Sequence, residues 1–479
     1  MNGEGFAGQR VVIVGLARQG IALTRFFCAQ GAQVVVTDLR PASLLQEAAA
    51  SLEGLPVQYV LGEHPFTLLE RCDLLCLSGG VPPETPLPQE ARRRGIPLSN
   101  DSLLTLRLAP TPMTGITGSS GKTTTTTLVG EMLKASGLKT WVGGNIGTPL
   151  LDRVLEIGPG DRMVLELSSF QLQLFAEPPP ASPHLAAVLN ITPNHLDRHP
   201  SMAHYVAAKA NALCFQSESD MAVLGVDDAI TGRWWREGVV DIEAGAGQPA
   251  LRFAIAGQRS GFSLQQEVPE GAFLRGDRLI WRGGGTEADV CAVADLKLLG
   301  THNVANTLAA CAIGGAAGAM PEGMRQAATA FTGVPHRLEL VRDLRGARWY
   351  NDSIATTPER VVAALRSFDN PLVLLAGGRD KHLPWNEMAD LAVARVRLLV
   401  VFGEARDLIV KEVEAARERA ASTAPEIHVC RTLDEAVETA ARLTREGDVV
   451  LLSPGGTSFD AYRDFEQRGE HFCALVRGL

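Results

Sequence analysis

Short apolar runs, each closed by glycine or polar residues and followed by a helix-length amphipathic stretch, recur along this chain. The first unit, "RVVIVGLARQGIALTRFFCAQGAQVVVTD", reads as a strand, a glycine turn, a helix ending near Gly31 and a second strand closing on Asp38. Strands alternating with helices in this way predict βαβ units around a parallel sheet. Pro110 and Pro112 punctuate the pattern. It resumes with "TGITGSSGKTTTTTL", an apolar strand that passes through a glycine-bracketed loop into a helix. That helix is expected to bury Leu128, Val129, Met132 and Leu133 and to end at Gly137. The next strands, in "RMVLELSSFQL" and "LAAVLNITPNHLDRH", each end in polar residues. From about Thr231 to Asp295, alternating runs such as "ALRFAIAG" and "RLIWRGG" predict hairpins inserted late in this segment. From Gly333 the alternation restarts with "ARWYNDSIATTPERVVAAL", "NPLVLLAGGRD", "VRLLVVFGEAR" and "GDVVLLSPGGTSFDAYRDFEQRG". The pattern is that of an α/β protein with three doubly wound, Rossmann-like domains, at residues 1–106, 107–333 and 334–479. Ligands are expected at the carboxyl ends of the strands.

Composition narrows the partners. The 46% hydrophobic and 21% charged residues are those of a soluble globular protein. A net charge of −9 argues against broad affinity for nucleic acid, which needs a basic surface to displace counterions. The eight cysteines are scattered without a C-x-x-C pair and read as buried thiols of a reducing cytosol. "MNGEGFAGQR" shows no basic start followed by an apolar stretch, and no apolar run reaches membrane-spanning length. The expectation is a cytoplasmic protein with neither membrane nor nucleic acid as partner.

The loop carries the first chemistry. The common phosphate-loop template, G-x-x-x-x-G-K-[ST], places a glycine where this chain has Ile116. What such a loop needs is a concavity of backbone N–H groups, a lysine and a helix start. Gly118 and Gly121 bracket Ser119 and Ser120, Lys122 suits the β and γ phosphates, and the Thr123 hydroxyl suits Mg²⁺. In the first unit, Gly15 and Gly20 enclose Ala17, so the middle glycine of a dinucleotide fingerprint is missing. Two readings stand there: Asp38 bonding a ribose or base, or glycines serving only a turn and helix packing. His195 and His199 are four apart, the spacing of a zinc pair on one helix face, without the Glu of H-E-x-x-H. Glu166 is a hard oxygen ligand for Mg²⁺ or a solvated strand end. Arg337 is a cation for a nucleotide or the ion-pair partner of Glu339.

"GSSGKT" resembles the phosphate loop of the Mur ligases, G-x-x-G-K-[ST], and the resemblance runs from end to end of the chain. Its further motifs are "GGNIGTPL", "LELSSFQL", "NITPNHLDRH", "GTHNVANTLAA", "FTGVPHRLELV" and "LSPGGTSFDAYRDFEQRGEHF". The resemblance implies an ATP- and Mg²⁺-dependent amide ligase of peptidoglycan precursor synthesis, acting as a monomer. An acyl phosphate forms on UDP-N-acetylmuramoyl-L-alanine and the amine of D-glutamate displaces phosphate. It assigns ATP to Gly118, Ser119, Ser120, Gly121, Lys122, Thr123 and Thr124, with Asn303 at the adenine, Asp352 at the ribose, and Arg337 reaching the phosphates if domains close. It assigns Mg²⁺ to Thr123 and Glu166, and a second Mg²⁺ to His195 and a carbamylated Lys209. Lys122, His195 and Lys209 are its catalytic residues. It assigns the UDP substrate to Gly15, Asp38 and Arg40, places Asn145, Ser168 and Ser169 around the phosphates or the muramoyl substrate, and assigns glutamate to Thr356, Lys381, Ser453 and Phe459. Where the family's frequent motif is "NDSKATN", this chain reads "NDSIATTP", with Ile354 in place of a lysine and Thr357 in place of an asparagine. That substitution bears on the chirality of the amino acid. The "DNPR" motif of diaminopimelate- and lysine-adding relatives is absent. Alternatives are the same chemistry with L-glutamate or another amino acid, and a nucleotide-binding regulator without ligation.

Overall fold

The computed structural model describes residues 5–147, 149–196, 198–246, 249–298, 300–381 and 383–479. The chain forms two compact units, Met1–Phe331 and Thr332–Leu479. The first unit opens with a five-stranded parallel sheet in the order Val57–Leu61, Gln33–Asp38, Arg10–Val14, Leu74–Leu77, Leu98–Ser99. Val11, Val12, Ile13 and Val14 are all buried, as expected of a central parallel strand covered on both faces.

Helix Asp101–Leu108 runs through the expected first boundary. The Asn100 side chain caps it and donates Nδ2 to the Gln171 carbonyl at 2.9 Å, while Gln171 Nε2 donates to Ser102 Oγ at 2.7 Å. These buried bonds tie the first segment to the central one.

The central sheet has nine strands in the order Thr286–Ala292, Arg278–Gly283, Gly271–Arg275, Gln258–Ser263, Met221–Gly225, Leu185–Val188, Met113–Thr117, Arg162–Glu166, Thr140–Gly144. The runs read as hairpins do pair antiparallel, and the parallel sheet extends further between them than the pattern suggested. Residues Ala229–Glu237 are a helix, Val239–Ile242 pairs only with Leu251–Ala254, and Gln258–Ser263 and Gly271–Arg275 continue the sheet in parallel. Gly271–Arg275, Arg278–Gly283 and Thr286–Ala292 then form successive antiparallel hairpins, and Val239–Ile242 and Leu251–Ala254 are antiparallel too. Glycine permits the extension: a Cβ on Gly271 would lie 1.8 Å from the Gly261 carbonyl oxygen. Helix Lys122–Ala135 packs Leu128, Val129, Met132 and Leu133 into one core with Leu308 and Ile313 of helix Thr301–Ala316 and Met324 of helix Pro321–Ala330.

The second unit holds a six-stranded sheet in the order Glu339–Leu344, Ala347–Asn351, Val449–Gly455, Leu372–Gly377, Val396–Phe402, Glu426–Val429, parallel except for the first pair. The three sheets bear out the doubly wound α/β reading. Among the described residues, no helix is long and apolar enough to cross a membrane.

Candidate active site

Strand Met113–Thr117 delivers the chain into the loop 118–121, and Gly121 caps the following helix with φ +77°, a conformation that disfavours any side chain. The cradle is held from outside by Asn190, at the carboxyl end of the neighbouring strand. Its carbonyl accepts from Ser119 N at 3.0 Å and its Oδ1 from Ser120 N at 2.9 Å. The Ser119 hydroxyl donates to the Thr192 carbonyl and meets Tyr205 Oη, each at 2.9 Å. Lys122 folds its ammonium back onto the carbonyls of Gly118 at 2.9 Å and Ser119 at 3.3 Å. Thr124 is half-buried in the first helical turn, and Asn303 is half-buried on helix Thr301–Ala316, accepting from Asn306 Nδ2 at 3.2 Å.

Glu166 is buried at the end of its strand, and each carboxylate oxygen has one donor: the Thr123 hydroxyl to Oε2 at 2.8 Å and Asn145 Nδ2 to Oε1 at 2.7 Å. Asn145 also accepts from Arg18 Nη2 through its carbonyl at 2.9 Å, which connects the loop region to the first segment. Lys209 is buried to 1% exposure and donates to the Gly118 carbonyl at 2.9 Å and Thr117 Oγ1 at 3.2 Å. Burial first, then the nearby Lys122 charge, lower its pKa well below the ordinary lysine value, against the opposing pull of Glu166. Its ammonium lies 4.8 Å from the Tyr205 ring centroid, and the same ring is 6.5 Å from that of His195. Tyr205 thus neighbours both expected ligands.

The spacing of His195 and His199 does not place them on a helix face. Neither His195 nor His199 belongs to a helix; His199 N donates to the His195 carbonyl at 2.9 Å, and His195 has φ +54°. His199 is buried with both ring nitrogens engaged, Nε2 with Ser169 Oγ at 2.9 Å and Nδ1 with His204 Nδ1 at 2.8 Å. Burial first, then His204, hold its pKa down at about 4. His195 stays exposed, its ring 5.4 Å from that of Phe170, which stacks on His199 at 5.1 Å. Among the described residues no group of three or more His, Cys, Asp or Glu could hold a metal by itself.

In the first segment Gly15 turns at φ +92°, and a Cβ on Gly20 would lie 2.0 Å from the Gly15 carbonyl oxygen, so Gly20 serves close packing of helix against turn. Asp38 accepts from Leu16 N at 2.8 Å and pairs with Arg40 Nη2 at 2.7 Å. Burial opposes its ionisation, but Arg40 and two backbone N–H groups outweigh it and lower the pKa. Ser168 caps helix Ser169–Gln173 in a reciprocal capping box with Gln171.

In the second unit Asp352 is buried, accepting from Ser453 Oγ at 2.9 Å and Leu338 N at 3.3 Å. Burial pushes its pKa up to about 7, against Ser453, Leu338, Arg337 and Arg360. Ser453 is thus buried with its hydroxyl turned to Asp352. Lys381 Nζ donates to Thr356 Oγ1 at 3.3 Å, and Phe459 stands 43% exposed. Arg337 is exposed between His336 and Leu338, both at positive φ, and Glu339 Oε2 accepts from His336 N at 2.8 Å and Asn351 Nδ2 at 3.1 Å. Residues that pattern alone misses are Asn190, Tyr205 and Asn306. Only the apolar run before Asn190, and the three-residue step from Asn303 to Asn306, signal them.

A shortened phosphate loop, a buried carboxylate bonded to its threonine and a desolvated lysine beneath it define a nucleotide-binding α/β protein built for phosphoryl chemistry. The chain belongs to the Mur ligase family. Residues 9–100 match the Mur ligase MurD-like N-terminal domain, 116–314 the Mur ligase middle domain and 336–456 the Mur ligase glutamate ligase domain. The chain is 42% identical to the UDP-N-acetylmuramoylalanine--D-glutamate ligase of Symbiobacterium thermophilum, covering 98% of each chain. It is 40% identical to the ligase of the same name from Geobacter metallireducens, over 99% of this chain and 98% of that one. Among solved structures, the UDP-N-acetylmuramate-alanine ligase of Thermotoga maritima shares the fold at a TM-score of 0.52 and 18% identity, over 98% of this chain and 99% of that one.

Proposed function

We propose that this protein joins the carboxylate of UDP-N-acetylmuramoyl-L-alanine to the amine of D-glutamate at the expense of ATP, in peptidoglycan precursor synthesis in the cytoplasm. The observation that carries this reading is the Thr123–Glu166–Asn145 chain of hydrogen bonds beside the loop, with Lys209 buried beneath Gly118. The near full-length likeness to relatives named for that reaction supports it.

The loop 118–121 and the start of helix Lys122–Ala135 would hold the ATP phosphates, Lys122 swinging from the loop carbonyls to the γ phosphate. Asn303 would bind the adenine, and Asp352 and Arg337 would contribute further ATP contacts. The donor set fits Mg²⁺, which is usually held by one or two protein oxygens plus substrate phosphates. Thr123 and Glu166 would supply those oxygens. Burial lowers the Lys209 pKa, which favours the neutral amine that adds carbon dioxide and loses a proton to become a carbamate, so Lys209 with His195 would hold a second ion. Bound Mg²⁺ would neutralise charge during phosphoryl transfer. Gly15, Asp38, Arg40, Asn145 and Ser168 would position the UDP substrate. Lys381, Thr356, Ser453 and Phe459 would form the glutamate side.

Phosphate release by the full chain, measured with ATP, UDP-N-acetylmuramoyl-L-alanine and D- or L-glutamate in parallel, tests this. Release is expected only with all three substrates and with the D isomer. No release with either isomer overturns the assignment. Lys122→Ala is expected to abolish release while the UDP substrate still binds.

A further inference from the structure

Helix Pro358–Leu365 begins just after "NDSIATT", and its third residue is Arg360. A cation in a first helical turn opposes the helix dipole. The guanidinium turns back to donate Nη1 to the Ile354 carbonyl at 3.0 Å. That carbonyl also accepts from Thr356 N at 2.9 Å, and Thr356 Oγ1 accepts from Lys381 Nζ at 3.3 Å. Two cations, from a helix start and from the loop after strand Leu372–Gly377, thus rest on one three-residue turn at the ligand-binding ends of the strands. Burial, then the Arg360 charge, depress the Lys381 pKa, as expected for neighbouring like charges. Two cations converging on one turn at the strand ends are placed to receive a carboxylate.

We propose that Arg360 is a specificity-determining residue of the amino-acid site, its guanidinium engaging one carboxylate of the incoming dicarboxylic amino acid while Lys381 engages the other. The proposal rests on the amino-acid role given above to Lys381 and Thr356. It adds a second cation matched to the second negative charge of glutamate, and a planar fork suited to a carboxylate.

The test is steady-state kinetics of the full chain with Arg360→Gln and Arg360→Lys. Losing a hydrogen bond to a charged group is expected to raise the glutamate KM by about 10- to 100-fold in Arg360→Gln, with the KM values for ATP and the UDP substrate within about twofold. Arg360→Lys is expected to recover part of that loss, and preference for glutamate over glutamine should fall in Arg360→Gln. Arg366→Gln, which removes a charge from the end of the same helix, is expected to leave all KM values unchanged. A glutamate KM within twofold of wild type in Arg360→Gln overturns the proposal. So does a uniform loss of kcat and all affinities together with thermal stability, which marks a structural role. If wild type itself releases no phosphate with glutamate, the functional reading fails, an outcome distinct from either.

Discussion

Gly121→Ala probes the loop most directly. Gly121 has φ +77°, and a left-handed conformation costs a residue with a Cβ about 1–2 kcal/mol. A Cβ there would also lie 2.2 Å from Asn306 Oδ1 and 3.2 Å from its Cγ, so the amide must swing away. That movement breaks the bond from Asn306 Nδ2 to Asn303 Oδ1, 3.2 Å long, at a cost of about 1 kcal/mol. The expected destabilisation is about 2–3 kcal/mol, against about 1 kcal/mol for Asn306→Ala alone. Because Asn306→Ala removes both obstacle and bond, the double variant should lose no more than Gly121→Ala does. A favourable coupling of about 1 kcal/mol should therefore appear in urea unfolding of the four proteins. Strict additivity, within about 0.3 kcal/mol, would refute the claim that Asn306 fences the loop.

Lys209→Met replaces a buried amine with an apolar chain of similar length. It is expected to abolish phosphate release while changing stability by no more than about 2 kcal/mol, and retained turnover would exclude the proposed role. Glu166→Gln keeps an acceptor for Thr123 or Asn145 but removes the charge. Phosphate release should fall by at least about 100-fold, and a loss under about tenfold would argue against metal binding there. Asp352 carries a pH signature. Its folded pKa, about 7, lies above the ordinary 3.8, so between those values the unfolded chain has released a proton that the folded unit retains. Stability therefore falls as pH rises through that window, by up to about 1.4 kcal/mol per unit, and levels off above it. Asp352→Asn should lack this slope, and parallel urea-stability profiles for the two proteins would refute the shift.

Arg360 changes the meaning of Ile354. Read along the chain, "NDSIATTP" lacks a positive charge near the amino-acid pocket. The turn brings a guanidinium to the Ile354 backbone from six residues further on. Helical folding of residues 358–365 creates that proximity, and no local spacing rule announces it.

By itself the sequence determined the elements and the loop, because both are local. Alternating apolar runs fix which stretches become strands and helices, and Gly118, Gly121, Lys122 and Thr123 form a contiguous motif whose backbone geometry follows from the glycines. The "GSSGKT" loop and its helix, with the buried face at Leu128–Leu133, lie where the pattern put them. Between Thr231 and Asp295 alternation marked the hairpins, but it reports one solvent-facing side and not which neighbour a strand pairs with, so the parallel extension through Gln258–Ser263 was not legible. His195 and His199 share a helical spacing without sharing a helix. Only the tertiary structure decided that Lys209, ordinary as a helical residue, sits beneath the loop without solvent, and that Asn190 and Asn306 fence it. Desolvation and contacts between distant residues govern charge state and alignment, and both depend on what the rest of the chain packs around a side chain.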